Sequence, residues 1–493
     1  MSLKFTSTAL ITAVLIMAGA CMSVQHSPVS DSRRAYAYSW QQEIQLGQEA
    51  DGQIIQYYGL YDDENLSRYV TEIGKKVLAE SHMRRESTRQ QYRNTEFTFR
   101  VLDSPVVNAF ALPGGYNYVT RGLLTHMTSE AQLAMVIGHE IAHVAARHAS
   151  QQALRQQAGQ ILLVGTAVLG QEILGIPGQE IIGLGGSAAQ LVFLSYSRDA
   201  ERESDRLGVE YAAKAGYRAA EGAAFFTALK RISDKAGHNI PNHLSSHPDP
   251  GEREVDIVNR AAGWSEEGFP QTIVNQREFY NAIEGMVMGE NPREGFTRND
   301  VFYHPELAFQ FPVPSGWTVI NEKSEVILVN SNQSAVTIFN VPGVGTAAEA
   351  VDQIGNLEQM TVTSREQRTI NGLNAFTLTG TIVDGNNTLA LHVTGIEHKD
   401  LVYRFLSYTT QGQSDQFSGN FRNTANGFET VTDQSILSIQ PARIRIVEAP
   451  RTAAFSTFVP STLPDGIDAY DLAIMNQVGL DETIPAGTLL KLP

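Results

Sequence analysis

Between residues 38 and 80, Glu43, Leu46, Gly47, Ile54, Ile55, Leu66, Tyr69, Val70, Ile73 and Val77 recur at spacings near three and four. That is the period of one helical face, so two amphipathic helices are expected, joined around residues 59–65. Over 94–124 the pattern changes to alternation of β-branched and polar residues, interrupted by Pro113, Gly114 and Gly115. It reads as strand, strand, turn, strand. Residues 129–157 return to a helical period with Ala-rich neighbours. The stretch 160–194 is apolar and Gly-rich, but Gln171, Glu172, Pro177, Gln179 and Glu180 break every run before it reaches spanning length. An interfacial or core-plugging helical hairpin is expected there rather than a transmembrane pair. Its GLGG lacks a preceding strand and is a weak nucleotide-loop signal. Residues 195–236 are helical again, and 237–253 form a His- and Pro-rich loop.

After about residue 295 the texture becomes one of short strands, such as FQFPV, EVILVN, AVTIFNV, AFTLTGTIV and LVYRFLSYT, with a helical insert near 346–360. This predicts a separate α/β domain with no catalytic cluster. The last fifty residues read strand (RIRIVEA), helix (TAAFSTFVP), helix (AYDLAIMNQV), strand (TLLKL). No repeat of fixed period is visible. The expected class is therefore α+β. A mainly helical domain with a small edge sheet (38–295) is followed by an α/β domain (296–436) and a small βααβ module (437–493).

Length and composition constrain this picture in a few ways. A chain of 493 residues exceeds one compact core, and 42% hydrophobic with 18% charged residues is ordinary for a folded protein. A net charge of −16 without clustered Lys and Arg argues against a nucleic-acid interface. The start, with Lys4 before the apolar run ALITAVLIMAGA, has the layout of a bacterial secretory signal over residues 1–20. Cys21, the single cysteine, follows Ala18, Gly19 and Ala20, which resembles a lipoprotein signal whose cysteine becomes acylated. Ala18 stands where such signals carry Leu or Val, so plain cleavage after Ala20 is the alternative. A third reading is a buried free cysteine, disfavoured because residues 21–37 read as a polar tether. Met22 in place of Asp favours the outer membrane over the inner.

The chemistry sits in the string HEIAH. His139 and His143 lie four positions apart on one helix face, so two neutral imidazoles can grip one metal ion, with Glu140 beside the open position as general base. An HExxH string arises by chance in roughly two sequences per hundred of this composition, so context has to decide. A zinc site needs a third ligand, and SRDAERESDRLGVEYAAKAGY (197–217) offers Glu201, with Asp205 four residues later able to orient a ligating histidine. The bland alternative is a solvated helix paired through Arg198, Arg202 and Arg206, a role that fits Glu203 and Glu210.

With these residues in view, the chain resembles the HtpX and CAAX prenyl protease type of zinc metallopeptidase, and within it the periplasmic BepA- and LoiP-like branch. The resemblance runs from about residue 40 to 260. It rests on NAFALPGGYNYVTRGLL (108–124), SEAQLAMVIGHEIAHVAARH (129–148), SRDAERESDRLG (197–208) and SHPDPGER (246–253), in that order. It implies a gluzincin-type site with one Zn2+, His139, His143 and Glu201 as ligands, Glu140 as base and Asp205 behind a ligand. It also implies that Asn108, Ala109, Phe110 and Ala111 form an edge strand along the cleft, suited to backbone pairing with an extended peptide. His247 then has three roles open to it: a fourth ligand that holds the site latent, a catalytic helper, or a plain loop histidine beside Pro248. Arg253 matches a cleft arginine of the family pattern. His148 falls five positions after His143, off the ligand face, and reads as structural; His238 and His243 read as surface residues. Further on, YHPELAFQFPVPSGW (303–317) resembles the opening of PsbP/Mog1-like domains. Asn476 with the ending PAGTLLKLP resembles a LysM-like module, although its usual Gly-Asp-Thr start is missing.

Two functions of different class follow. One is an envelope endopeptidase that removes misassembled proteins, with unfolded polypeptide as substrate. The other is a latent chaperone or assembly factor for outer-membrane proteins that rarely cleaves. A lipoprotein whose metal is only structural is disfavoured, because Glu140 stands beside an open position and structural sites are closed by four protein ligands.

Overall fold

The computed structural model describes residues 23–30, 32–163, 195–236, 247–249, 251–384 and 387–493. The expected signal sequence with Cys21, the hairpin expected within 160–194 (beyond residue 163), and His238 and His243 lie outside these residues. Among the described residues no helix is long and apolar enough to cross a membrane.

The two amphipathic helices form as the period predicts. Trp40–Tyr58 begins at Ser39, which exchanges capping-box bonds with Gln42, and buries Trp40, Glu43, Gly47, Ala50, Ile54 and Tyr58. Glu64–Ala79 is capped by Asp63 and buries Leu66, Val70, Ile73 and Val77. At Gly47 a Cβ would lie 1.8 Å from the Pro113 carbonyl oxygen, so glycine is what lets this helix cross the sheet's turn. The strands Thr98–Leu102, Ala109–Leu112 and Tyr116–Thr120 make a three-stranded sheet in which Tyr116–Thr120 is central. It runs parallel to the first strand and antiparallel to Ala109–Leu112, which is therefore an edge.

The helix expected over 129–157 is in fact two. Glu130–Ala146 starts at its Ser129 cap and is buried all round; it ends at Arg147, whose φ of 60° is left-handed. The chain resumes helix at His148–Leu163. No Gly or Pro announces this break. It is held by the side chain instead: the Arg147 guanidinium bonds Glu43 at 2.6 Å and the Tyr38 carbonyl at 2.7 Å, and lies 3.7 Å over the Tyr36 ring. The polar tether expected over 21–37 needs correction for the same reason. Ser23–His26 and Arg33–Tyr36 pair as an antiparallel hairpin. Its Tyr36 is fully buried under Arg147, an anchor that a polar-looking sequence does not reveal.

Helix Arg198–Lys214 packs along the motif helix and is followed, after Gly216, by helix Glu221–Ala236. The loop expected over 237–253 ends where helix Arg253–Glu266 begins. Beyond residue 295 a seven-stranded antiparallel sheet runs in the order 360–370, 373–384, 387–398, 401–410, 335–340, 325–329, 318–321. Helix Ala347–Gly355 packs against it through Val351 and Ile354. A second, four-stranded sheet built from 296–312 and 429–430 and helix Ser414–Asn426 contribute Phe302, Phe309, Phe311 and Ala425 to a separate core. The α+β class is thus observed.

In the last module the outer strands Arg445–Glu448 and Leu489–Leu492 pair antiparallel, and a helix spans Ala469–Met475. The first of the two expected helices is absent: Ala453–Ala454 is a short strand paired with Thr483–Ile484, followed by the 3-10 turn Phe455–Thr457. The module does not stand apart either. Phe455, Leu472, Ile484 and Leu490 share one core with Leu133 and Ile137 of the motif helix. Lys491, 0% exposed, donates to the Thr125 carbonyl at 2.6 Å and the Met127 carbonyl at 2.5 Å, just ahead of that helix.

Candidate metal centre

Four side chains from three places in the sequence converge. His139 and His143 come from successive turns of the motif helix, Glu201 from the first turn of Arg198–Lys214, and His247 from the 247–249 fragment. One ligand atom of each lies within 4.8 Å of all the others, and all four residues are buried. His139 Nε2 is 2.9 Å from His143 Nε2, 3.4 Å from Glu201 Oε2 and 3.3 Å from His247 Nδ1. Glu201 Oε1 is 3.4 Å from His143 Nε2 and 3.2 Å from His247 Nδ1. A tetrahedral zinc ion with bonds of about 2.0–2.1 Å sets its ligand atoms about 3.3 Å apart. The spacing and the nitrogen and oxygen donors both fit one zinc ion.

The surroundings favour a cation at this point. Burial pushes Glu201 and Asp205 towards their neutral forms, but His247 and the two motif histidines around Glu201, and Arg253 beside Asp205, hold both below the usual carboxylate range. Burial likewise opposes charge on His139, yet its bonds to Asp205 and Glu201 outweigh it and raise the imidazole to about 9. For His143 burial prevails and its pKa falls well below the ordinary value. Carboxylates that favour positive charge on His139 favour a metal cation among the donors for the same reason.

Asp205 Oδ1 accepts from His139 Nδ1 at 2.9 Å, which leaves Nε2 turned to the other donors, as the i, i+4 spacing to Glu201 predicts. Glu140, 1% exposed, lies beside the cluster. Neither of its carboxylate oxygens has a hydrogen bond among the described residues, and His247 Nε2 lies 3.8 Å from Oε1. Burial raises its pKa. An unsatisfied carboxylate costs stability in a buried place, and a proton-transfer role would account for keeping one there.

Arg253 differs from the cleft position expected of it. It is 3% exposed, with Nε 2.8 Å from Asp205 Oδ2 and one terminal nitrogen 2.8 Å from Glu201 Oε2, its guanidinium 4.1 Å over the Phe226 ring. It faces the ligand-side carboxylates. Glu203 differs too: its partners include Arg34 and His148 from other elements rather than its own helix alone. Glu210 keeps the bland role with Lys214 and also meets Arg85. His148 lies outside the four-donor cluster, and its Nδ1 lies 3.1 Å from His143 Nδ1. Sequence reasoning missed Tyr196, whose ring stacks on His143 with centroids 4.1 Å apart. The expected edge strand is present at Ala109–Leu112, preceded by Asn108, whose N–H donates to Thr120 Oγ1.

The helix carrying Glu201 reaches the motif helix through glycine. A Cβ at Gly208 would stand 2.8 Å from the His139 backbone nitrogen and 3.2 Å from the Gly138 carbonyl carbon. Gly208→Ala should therefore push the helices apart, costing about 1–3 kcal/mol. It should also weaken zinc binding, since Glu201 and His139 would separate; urea unfolding and chelator competition measure the two effects.

A histidine pair one turn apart on a helix, a glutamate between them and a ligand glutamate from a second helix define the HExxH class of zinc metallopeptidase site. Residues 66–261 match the model of peptidase family M48. A putative beta-barrel assembly-enhancing protease of Vibrio cholerae is 33% identical over 208 residues, covering 41% of this chain and 40% of that protein. The beta-barrel assembly-enhancing protease of Escherichia coli K12 is 28% identical over 247 residues, 49% of this chain and 47% of that protein. Bovine mitochondrial metalloendopeptidase OMA1 is 36% identical over 160 residues, 31% of this chain and 30% of that protein. The chain thus aligns with less than half the length of each of these curated relatives. Among solved structures, cyanobacterial PsbP from Synechocystis aligns at 16% identity with a TM-score of 0.23, covering 26% of this chain and 91% of that one. The yeast Ran-binding protein Mog1p aligns at 15% with a TM-score of 0.21, covering 29% and 99%. Scores at that level define no fold.

Proposed function

We propose that this chain is a zinc-dependent endopeptidase of the bacterial cell envelope that hydrolyses misfolded or misassembled envelope proteins. The observation that carries the reading is the Glu140 carboxylate, buried and without hydrogen bonds among the described residues, beside four donors at zinc spacing. Held by His139, His143 and Glu201, a zinc ion would supply Lewis acidity that lowers the pKa of a water at this point. Glu140 would take that water's proton on its free carboxylate and deliver it to the leaving amine. Asp205 and Arg253 keep His139 and Glu201 in place throughout. The edge at Asn108, Ala109, Phe110 and Ala111 would take the substrate as an added strand, its backbone groups pairing with an extended polypeptide. The names of the bacterial relatives point to β-barrel assembly as the setting, and outer-membrane proteins or their assembly machinery as partners. A lipidated Cys21 would tether the chain to the periplasmic face of the outer membrane.

His247 supports a second reading. With its Nδ1 among the donors it closes the site as a fourth ligand would, which suits a latent protease or a chaperone that rarely cuts. We read the 296–436 domain as PsbP/Mog1-like and the terminal module as LysM-like in its paired outer strands, both serving to position clients.

The test is metal dependence. Purified protein should cleave unfolded casein, lose that activity on dialysis against a zinc chelator and regain it with one equivalent of Zn2+ per chain. Cleavage that survives chelation would sink the proposal.

A further inference from the structure

The two motif histidines are supported differently on their far sides. His139 Nδ1 meets the Asp205 carboxylate directly, and Arg253 holds that carboxylate. His143 Nδ1 meets another ring: His148 Nδ1 at 3.1 Å. His148 Nε2 lies 3.1 Å from Glu203 Oε2, and the two Glu203 oxygens are taken by the two terminal nitrogens of Arg34, each at 2.9 Å. Ser204 Oγ lies 3.3 Å from His148 Nδ1. Arg206 approaches Glu203 at 3.9 Å.

We infer that His148, Glu203 and Arg34 form a positioning relay for the metal ligand His143, and so make the N-terminal hairpin a working part of the zinc site; this rests on the metallopeptidase reading above. The direction of the hydrogen bonds follows from valence. A His143 whose Nε2 faces the donor cluster carries its proton on Nδ1, which must donate to an acceptor, and His148 Nδ1 is that acceptor. His148 then carries its own proton on Nε2 and donates it to Glu203, which accepts from Arg34 as well. At His148 Nδ1 the nearer donor is His143 at 3.1 Å, with the Ser204 hydroxyl further off at 3.3 Å, and Glu203 accepts from both His148 and Arg34. Each motif histidine thus ends on a carboxylate clamped by an arginine, directly for His139 and through one intervening imidazole for His143.

The burial gradient fits a relay running outwards. His143 and His148 are buried, Glu203 is 21% exposed and Arg34 is 27% exposed at its side chains. Arg34 sits on the strand Arg33–Tyr36, from 169 residues away in sequence. That hairpin has a separate anchor, because Arg147 stacks on Tyr36 and bonds Gln25 at 2.8 Å. Removing the Arg34 side chain therefore withdraws the carboxylate's partner without freeing the hairpin.

The experiment is Zn2+ affinity, by competition with a chromophoric chelator, on the full chain. His148→Ala and Glu203→Gln should each weaken Zn2+ binding by about 10- to 100-fold, the range for groups behind a metal ligand. Arg34→Ala should act in the same direction. Because the members act in series, Arg34→Ala added to Glu203→Ala should cost nothing further, whereas Arg34→Ala added to Asp205→Asn should be additive. A merely structural role would instead lower the thermal midpoint of the zinc-free protein and leave affinity unmoved. Should His148→Ala fail to fold, the part-exposed Glu203 and Arg34 variants still decide the matter. Unchanged Zn2+ affinity in Glu203→Gln and Arg34→Ala, with affinity lost in Asp205→Asn, overturns the relay and leaves the metallopeptidase reading intact. A wild-type chain that takes up no Zn2+ overturns both.

Discussion

Glu140→Gln should retain one zinc ion per chain at wild-type affinity and cleave unfolded protein about 10²- to 10⁴-fold more slowly, the usual worth of a general acid–base group. Glutamine keeps the shape and cannot accept the proton. Three observations make this the sharpest substitution available. The residue is buried between the two histidines yet is outside the donor set, so its loss removes no ligand. Its oxygens have no hydrogen bonds among the described residues, so its loss breaks no structural bond. Burial raises its pKa, placing the carboxyl nearer the acidity a base needs at neutral pH. For the same reasons the variant should be at least as heat-stable as the parent, because exchanging a buried unbonded acid for a neutral amide relieves a desolvation cost. Metal analysis, initial rates and a melting curve on one preparation suffice. Undiminished cleavage by the variant would end the mechanism.

His247→Ala is expected to raise cleavage of unfolded substrate while weakening Zn2+ binding. His247 is 1% exposed, and its Nδ1 lies within 3.3 Å of donor atoms of His139 and Glu201. As a fourth ligand it would compete for the position a reacting water needs. If the closed form is favoured by about 1.4 kcal/mol, removing it raises the competent population about tenfold. The opposite result is equally informative: activity lost together with normal zinc content would make His247 a catalytic helper that stabilises the developing oxyanion. Steady-state rates read at saturating zinc separate the two, since they remove the contribution of the lost ligand.

Much of the site could be read from local periodicity. HEIAH names its own helix face, and the four-residue spacing of Glu201 and Asp205 names another, so that His139, His143, Glu201 and the orienting Asp205 were legible before any fold was known. The helical pair before residue 80 and the edge sheet around Pro113–Gly115 were legible for the same reason. Short-range pattern carries them, and capping residues at Ser39, Asp63 and Ser129 mark their starts.

What failed was whatever depends on a partner distant in the chain. Arg147 stops a helix in a left-handed conformation because Glu43 and Tyr36, over one hundred residues away, enclose its guanidinium. The hairpin of Ser23–His26 and Arg33–Tyr36 looks like a tether because Gln25 and Tyr36 meet Arg147, and Arg34 meets Glu203, only in the folded chain. Glu203 looks like one more charge on a solvated helix until Arg34 and His148 arrive. Arg253 looks like a cleft residue until helix Arg253–Glu266 turns it onto Glu201 and Asp205. The terminal module likewise looks independent, although Lys491 ties it to the carbonyls ahead of the motif helix. By itself, then, the sequence pointed to the class of chemistry, to candidate metal ligands and to a candidate base, because those share single helix faces whose geometry is intrinsic to the backbone. Only the tertiary structure decided whether His247 joins the donors, which carboxylate supports which histidine, and that the N-terminal hairpin reaches the site. Those matters turn on buried charges finding partners, and a low-dielectric interior makes such pairing obligatory without writing it into any local pattern.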